Sequence, residues 1–409
     1  MLRIAIATDL HYVASGTSAV PQVCLDGTNN DPMEALLRLL RQDERGADLL
    51  ICPGDITDRA CAVAFRYGWN MLLRLKALLN AEHLIAATGN HEVSSRVGDE
   101  HRTPGNAELA IDTLDHLLDV SNYPAIFDND DKRWVYWGRG YETVYGSNWV
   151  VVTINSCHYH NSTMPNEYER GRIGDVTLKE LMAHIGKISS NKSYEYKVIV
   201  LHHPPVAHEE IGVELGKTPM FNGDGLIQAI EEVNSDWLII HGHKHHHRLK
   251  KCSGSDYAPV LLGAGSFGAL ITGGLSNRTK NQFYILELQT KEDEVGEHRL
   301  RGRIETLYWD GTEWSKCVRT KDGIPDGCGF QQGSNISMAS LAHTVKTIIL
   351  NSKQPFLRWE EVSEESETLN YLSPSEVPLL LNKLDLVGVE VNMGNGDFFP
   401  AELWVVNDG

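Results

Sequence analysis

Five short polar blocks punctuate the first 245 residues in a fixed order, and four of them follow directly on an apolar, β-rich run. Asp9-Leu10-His11 comes after Ile4–Ala7, Gly54-Asp55 after Leu49–Cys52, His202-His203-Pro204 after Val198–Leu201, and Gly242-His243-Lys244-His245 after Trp237–Ile240. The remaining block is Gly89-Asn90-His91. Each run has the length of a buried strand. In open α/β sheets ligands bind in the crevice outside the carboxyl ends of the strands, so residues far apart in sequence can meet there. The expectation is an α/β protein whose chemistry sits at strand ends.

Asp9, Asp55, Asn90, His11, His202, His243 and His245 form a mixed oxygen and nitrogen donor set. Such a set suits borderline divalent metals, and manganese, iron and zinc all tolerate it. Seven donors exceed what one tetrahedral ion needs. If Asp55 bridges, they divide into two sets of four, the arrangement of two-metal phosphoryl-transfer sites.

Taken singly, each block has a bland reading. Asp-Leu-His is an ordinary strand end, Gly-Asp an ordinary turn, and a histidine-rich tract can bind metal adventitiously. The ordered combination behind strands is what argues for a site. Adjacent residues at a strand end face opposite ways, so only one of His202 and His203 can face the metals; His203 is read as a pocket wall or a hydrogen-bonding residue. His241, His246 and His247 fall outside the register. Gly263-Ala264-Gly265-Ser266-Phe267-Gly268 matches a dinucleotide fingerprint, but no amphipathic helix follows to receive a pyrophosphate, and the segment reads as a glycine-rich turn near the cluster.

The five blocks resemble those of calcineurin-like metallophosphoesterases: Asp9-Leu10-His11, Gly54-Asp55-Ile56-Thr57-Asp58, Gly89-Asn90-His91-Glu92, His202 and Gly242-His243-Lys244-His245. The resemblance spans residues 9 to 245. It implies a four-layer α/β/β/α sandwich. It also implies that Asp9, His11, Asp55 and His245 hold one divalent ion and that Asp55, Asn90, His202 and His243 hold the other. His202 is chosen over His203 because the family's ligand lies two residues before the proline. His91 would stand beside the scissile phosphate, with Asp58 orienting it. The implied reaction is in-line attack on phosphorus by a hydroxide bridging the two ions. Purple acid phosphatases of the same broad family carry a tyrosine where this chain has Asp58, so an iron–tyrosinate centre is not implied. Gly-Asp-x-x-Asp and His-His-Pro-Pro are more like bacterial cyclic-nucleotide and glycerophosphodiester phosphodiesterases, which points to a diester rather than a monoester.

A chain of 409 residues exceeds one ordinary core. The expectation is a catalytic domain over residues 1–318, with a linker and a small mixed C-terminal extension over 319–409. Helical spacing is read over Pro32–Arg41, Ala60–Leu79, Val176–Ile188 and Met338–Leu350, whose apolar stripe is Met338, Leu341, Val345 and Ile348. Ser373 to Glu376 resembles a capping box, with Pro378 expected to break that helix early. Glu92–Tyr145, carrying Asp99, Glu100, His101 and Arg102, is long enough to form a lid or specificity wall.

The formal net charge is −18, and residues 351–409 hold three basic residues against eleven acids. Extended nucleic acid is therefore a poor partner. A nuclease built on the same five blocks is one alternative, and it would need a basic groove. A metal-bound sensor recruiting a protein partner through its C-terminal extension is another. The start runs straight into the first strand and no segment has the length of a membrane span, so a cytoplasmic protein without a membrane partner is expected.

Overall fold

Strands apolar on both faces can be buried only between other layers, and the chain meets that demand with two sheets packed face to face. In the computed structural model, residues 1–27, 30–93, 114–160, 167–208, 219–333 and 337–406 are described. One sheet runs in the order Trp314–Lys316, His298–Trp309, Asn281–Glu292, Leu2–Ile6, Leu49–Cys52, His83–Ala86, with Gly329–Gln331 also paired to His298–Trp309. The other runs Arg248–Lys251, Val260–Gly263, Leu238–His241, Tyr196–Val200, Trp149–Ile154, Tyr141–Tyr145.

Alternation sorts the side chains. Ile4, Ile6, Leu49, Ile51 and Ile85 meet Val151, Val198, Val200, Leu238 and Ile240 between the sheets. Ala5, Leu50 and Leu84 face outward, against the helices Pro32–Gln42 and Ala62–Leu78. Val150, Val152, Ile199 and Ile239 face the helices Asp175–Ser190 and Gly223–Glu232 on the far side. The result is the four-layer α/β/β/α sandwich. Helix starts follow local chemistry: Asp31 accepts from the N–H groups of Met33 and Glu34, and Pro32 occupies the first helical position, where no N–H is needed.

Of the stretch read as a linker, Gly329–Gln331 pairs with Arg301–Arg303, and Ile324, Cys328 and Phe330 are buried between the sheets. Farther on, the helix Met338–Ser352 packs Leu341, Ala342, Val345 and Ile349 against Val377, Leu380 and Leu384 of the helix Glu376–Leu386. The early break expected at Pro378 does not occur. That residue lies in the first turn, where its missing N–H has no intrahelical acceptor, and the Glu376 carboxylate accepts from Ser373 N at 2.8 Å. A three-stranded sheet of Leu357–Arg358, Glu402–Val405 and Val389–Asn392 completes this unit. Phe398 and Phe399 pack against both its core and the inter-sheet core.

Among the described residues, no helix is long and apolar enough to cross a membrane. Residues 94–113 of the expected lid, including Asp99 to Arg102, lie outside the described residues. The later part of that segment buttresses the site: Tyr123 and Tyr136 both hydrogen-bond Thr88, two residues before Asn90.

Candidate metal centre

Backbone strain falls on the residues that the motifs single out. Asp9, His11, Asp55, His243 and His245 have φ between 46° and 74°. Such a conformation costs a non-glycine residue about 1–3 kcal/mol and persists only where its surroundings over-determine it. Hydrogen bonds between strand-end loops do so here. Asp9 N donates to Gly54 O at 2.9 Å, His11 N to Asp55 O at 3.0 Å and Gly242 N to His202 O at 3.1 Å. The Gly263–Gly268 segment is the expected glycine-rich turn beside the cluster: Ser266 Oγ donates to Asp9 O at 2.7 Å, and Gly268 N to the same oxygen at 3.1 Å.

Seven donor atoms converge. On one side His245 Nε2 lies 3.3 Å from Asp9 Oδ1 and 3.0 Å from His11 Nε2, which is 3.6 Å from Asp55 Oδ2. On the other, His202 Nε2 lies 3.2 Å from the same Asp55 Oδ2 and 3.0 Å from Asn90 Oδ1, which is 3.0 Å from His243 Nδ1. Asp55 Oδ2 is buried and has no hydrogen-bond partner, while Oδ1 accepts from His91 N at 2.8 Å. An anionic oxygen left unsatisfied between two sets of imidazole nitrogens is what a cation would satisfy.

The remote ring nitrogens fix which lone pairs face inward. His202 Nδ1 donates to Pro53 O at 2.9 Å and His243 Nε2 to Glu169 O at 2.9 Å, leaving His202 Nε2 and His243 Nδ1 as donors to a metal. Burial pulls His202 down in pKa, but the Asp55 and Asp9 charges outweigh it and raise the imidazole to about 9. Burial raises Asp55, and the imidazoles around it, His202 first, more than reverse that and hold the carboxyl well below its usual range. The donor types suit divalent ions.

His91 and Asp58 stand at one edge. Asp58 Oδ1 is 2.7 Å from His91 Nδ1 and 3.9 Å from His11 Nδ1. Burial would raise the Asp58 carboxyl; the His11 and His91 imidazoles beside it outweigh burial and hold it below the ordinary carboxylate range. The His91 and His11 rings meet edge to face, 4.7 Å between centroids.

Sequence reasoning gave Glu92 no role. Its buried carboxylate accepts from the N–H groups of Asp55 (2.7 Å), Ile56 (2.5 Å), Thr57 (3.1 Å) and Gly89 (2.7 Å), clamping the loops that carry Asp55, Asn90 and His91. Burial and then the Asp55 charge push it up to about 7. Its place as the last residue of Gly-Asn-His-Glu was the available signal. His203, as expected, is a buried hydrogen-bonding wall residue, with Nδ1 2.8 Å from Ser156 Oγ and its ring 4.3 Å from that of His243. His246 and His247 stack on each other at 4.7 Å.

The glycines of the blocks are sized for this convergence. A Cβ on Gly242 would lie 2.4 Å from Asp9 Oδ2. Gly242→Ala is expected to displace Asp9 and weaken metal binding about 10- to 100-fold, as loss of a ligand's supporting contacts does. Calorimetric titration with manganese checks this, and unchanged affinity would show that Asp9 is free to move.

Strand-end His, Asp and Asn donors thus converge at one edge of a four-layer sandwich. The family model for calcineurin-like phosphoesterases matches residues 2–247, and the chain belongs to that family. Two divalent metal ions are the cofactors that go with it, and the His and Asp cluster is suited to hold them. Among solved structures, a purple acid phosphatase from yellow lupin (Lupinus luteus) seeds is similar at 12% identity and a TM-score of 0.44, over 74% of this chain and 51% of that one. PhoD is similar at 11% identity and a TM-score of 0.42, over 80% and 73%. A phosphopantetheinyl hydrolase from Mycobacterium tuberculosis follows at 12% and 0.32, over 64% and 89%. This chain thus spans about half the length of the lupin enzyme. No curated protein matches the sequence.

Proposed function

We propose that the chain hydrolyses phosphodiesters, with Asp9, His11, Asp55 and His245 holding one divalent ion and Asp55, Asn90, His202 and His243 the other. The observation that supports this most is the position of Asp55 Oδ2, 3.6 Å from His11 Nε2 and 3.2 Å from His202 Nε2 without a hydrogen bond of its own. When bound, two such ions activate a water for attack and neutralise charge on the phosphoryl oxygens.

The chain's own residues do the rest. Asp9 and Asp55 supply the negative charge that assembles the centre, and the Pro53 and Glu169 carbonyls keep His202 and His243 in the ligating tautomer. His91 is the general acid that gives a proton to the leaving alkoxide. Asp58, accepting from Nδ1, orients the ring. A diester is favoured over a monoester by the resemblance in Gly-Asp-x-x-Asp and His-His-Pro-Pro. Charge adds to this: a monoanionic ester meets less repulsion from a chain of net charge −18 than a dianionic one. The same reading divides the chain into a catalytic part and a C-terminal extension whose core of Leu341, Val345, Leu380 and Leu403 is its own.

His91→Ala tests the assignment. It is expected to bind metal as the parent does and to lose about 10²- to 10⁴-fold in kcat on bis-para-nitrophenyl phosphate. Unchanged kcat would remove His91 from the reaction. Faster turnover of the corresponding monoester by the parent protein would overturn the diester preference.

A further inference from the structure

Behind the wall of the metal centre lies a second group of donors that the two-metal reading leaves unused. Cys157, His160 and His203 each offer one ligand atom, and these atoms lie within 4.8 Å of one another. All three residues are buried, at 3%, 3% and 0% exposure. Cys157 Sγ is 3.9 Å from His203 Nδ1, and the His160 and His203 rings are 5.3 Å apart between centroids. A tetrahedral zinc with bonds of about 2.3 Å to sulfur and about 2.05 Å to nitrogen sets those two atoms roughly 3.6 Å apart, so the Cys157–His203 pair needs a few tenths of an ångström of closure, while the His160 atom, within 4.8 Å of both, has farther to turn in. Two oxygens are at hand for a fourth position. Thr88 O is 3.2 Å from the sulfur, and Ser156 Oγ is 2.8 Å from His203 Nδ1.

Donor chemistry separates this group from the main centre. Asp9, Asp55 and Asn90 give the latter hard oxygens, whereas a thiolate with two imidazoles selects zinc or another soft divalent ion and rejects manganese. The three residues also join separate pieces of chain: Cys157 and His160 belong to the loop after the strand Trp149–Ile154, and His203 follows the proposed ligand His202. An ion here would tie that loop to the rim of the catalytic crevice. We propose that Cys157, His160 and His203 form a third, structural site for a soft divalent cation. Binding releases the Cys157 thiol proton to solvent as the sulfur–metal bond forms, with no change of oxidation state.

Cobalt and zinc are the probes, on the full chain. Cobalt(II) is expected to give a sulfur-to-cobalt charge-transfer band in the near ultraviolet. The band should vanish in Cys157→Ser and weaken in His160→Ala, and it should persist in Asp55→Ala, which removes the main centre but no ligand of this one. Zinc content should be three ions per chain in the parent and two in Cys157→Ser. Absence of the band from the folded parent protein, or equal zinc content in the parent and Cys157→Ser, would overturn the proposal. Loss of the band in Asp55→Ala would overturn the independence claimed for the site. None of these readouts depends on turnover, so failure here leaves the two-metal reading standing, and the converse holds.

Discussion

Asp55→Ala is expected to remove both catalytic ions together and to lower turnover by at least about 10³-fold, since each ion is worth several kcal/mol of transition-state charge stabilisation. Single losses on either side should behave differently. His11→Ala takes a donor from one set and His243→Ala from the other, and each is expected to leave the opposite ion bound. The asymmetry follows from one atom, Asp55 Oδ2, which lies within reach of both His11 Nε2 and His202 Nε2. Elemental analysis with manganese checks it: zero ions per chain for Asp55→Ala against one for each histidine variant. An Asp55→Ala protein that still holds one full ion would show that the two sets do not share a ligand.

The second large effect belongs to a residue outside both donor sets. Glu92→Ala leaves four buried backbone N–H groups, those of Asp55, Ile56, Thr57 and Gly89, without their acceptor. Each such group costs about 1–3 kcal/mol to leave unpaired, and with partial relaxation the expected loss of stability is about 3–5 kcal/mol. Glu92→Gln keeps the shape but turns an N–H₂ toward donors, so it should fall between parent and alanine variant. Chemical denaturation measures both. A Glu92→Ala protein within about 1 kcal/mol of the parent would show that water replaces the carboxylate.

The convergence of the motif residues was legible because they sit where periodicity changes. Uninterrupted apolar runs such as Leu49–Cys52 mark strands buried on both faces, and the polar residues ending them have no structural reason to be Asp, Asn and His in that order. Helices with a clear stripe, such as Asp175–Ser190, were legible for the same reason. The role of Glu92 was not, because three of the four N–H groups it accepts from lie 35 to 37 residues upstream in sequence, and its place at the end of Gly-Asn-His-Glu does not reveal that. The small C-terminal sheet was missed because its strands are too short for alternation to show: Leu357–Arg358 has two residues, and Val389–Asn392 is buried at only one of four. The hairpin Tyr12–Ser15 with Ser18–Pro21, directly after the first motif, escaped for a related cause, its two strands being half exposed and four residues each. Pro378 misled because a proline inside a helical pattern reads as a breaker unless the true start of the helix is known.

The central claim is that two ions share Asp55. Anomalous diffraction from crystals of the full chain loaded with manganese tests it most directly. Two peaks roughly 3.5–4 Å apart are predicted, with Asp55 Oδ2 between them, one ion against Asp9, His11 and His245 and the other against Asn90, His202 and His243. A single peak, or two peaks of which only one touches Asp55, would contradict the account.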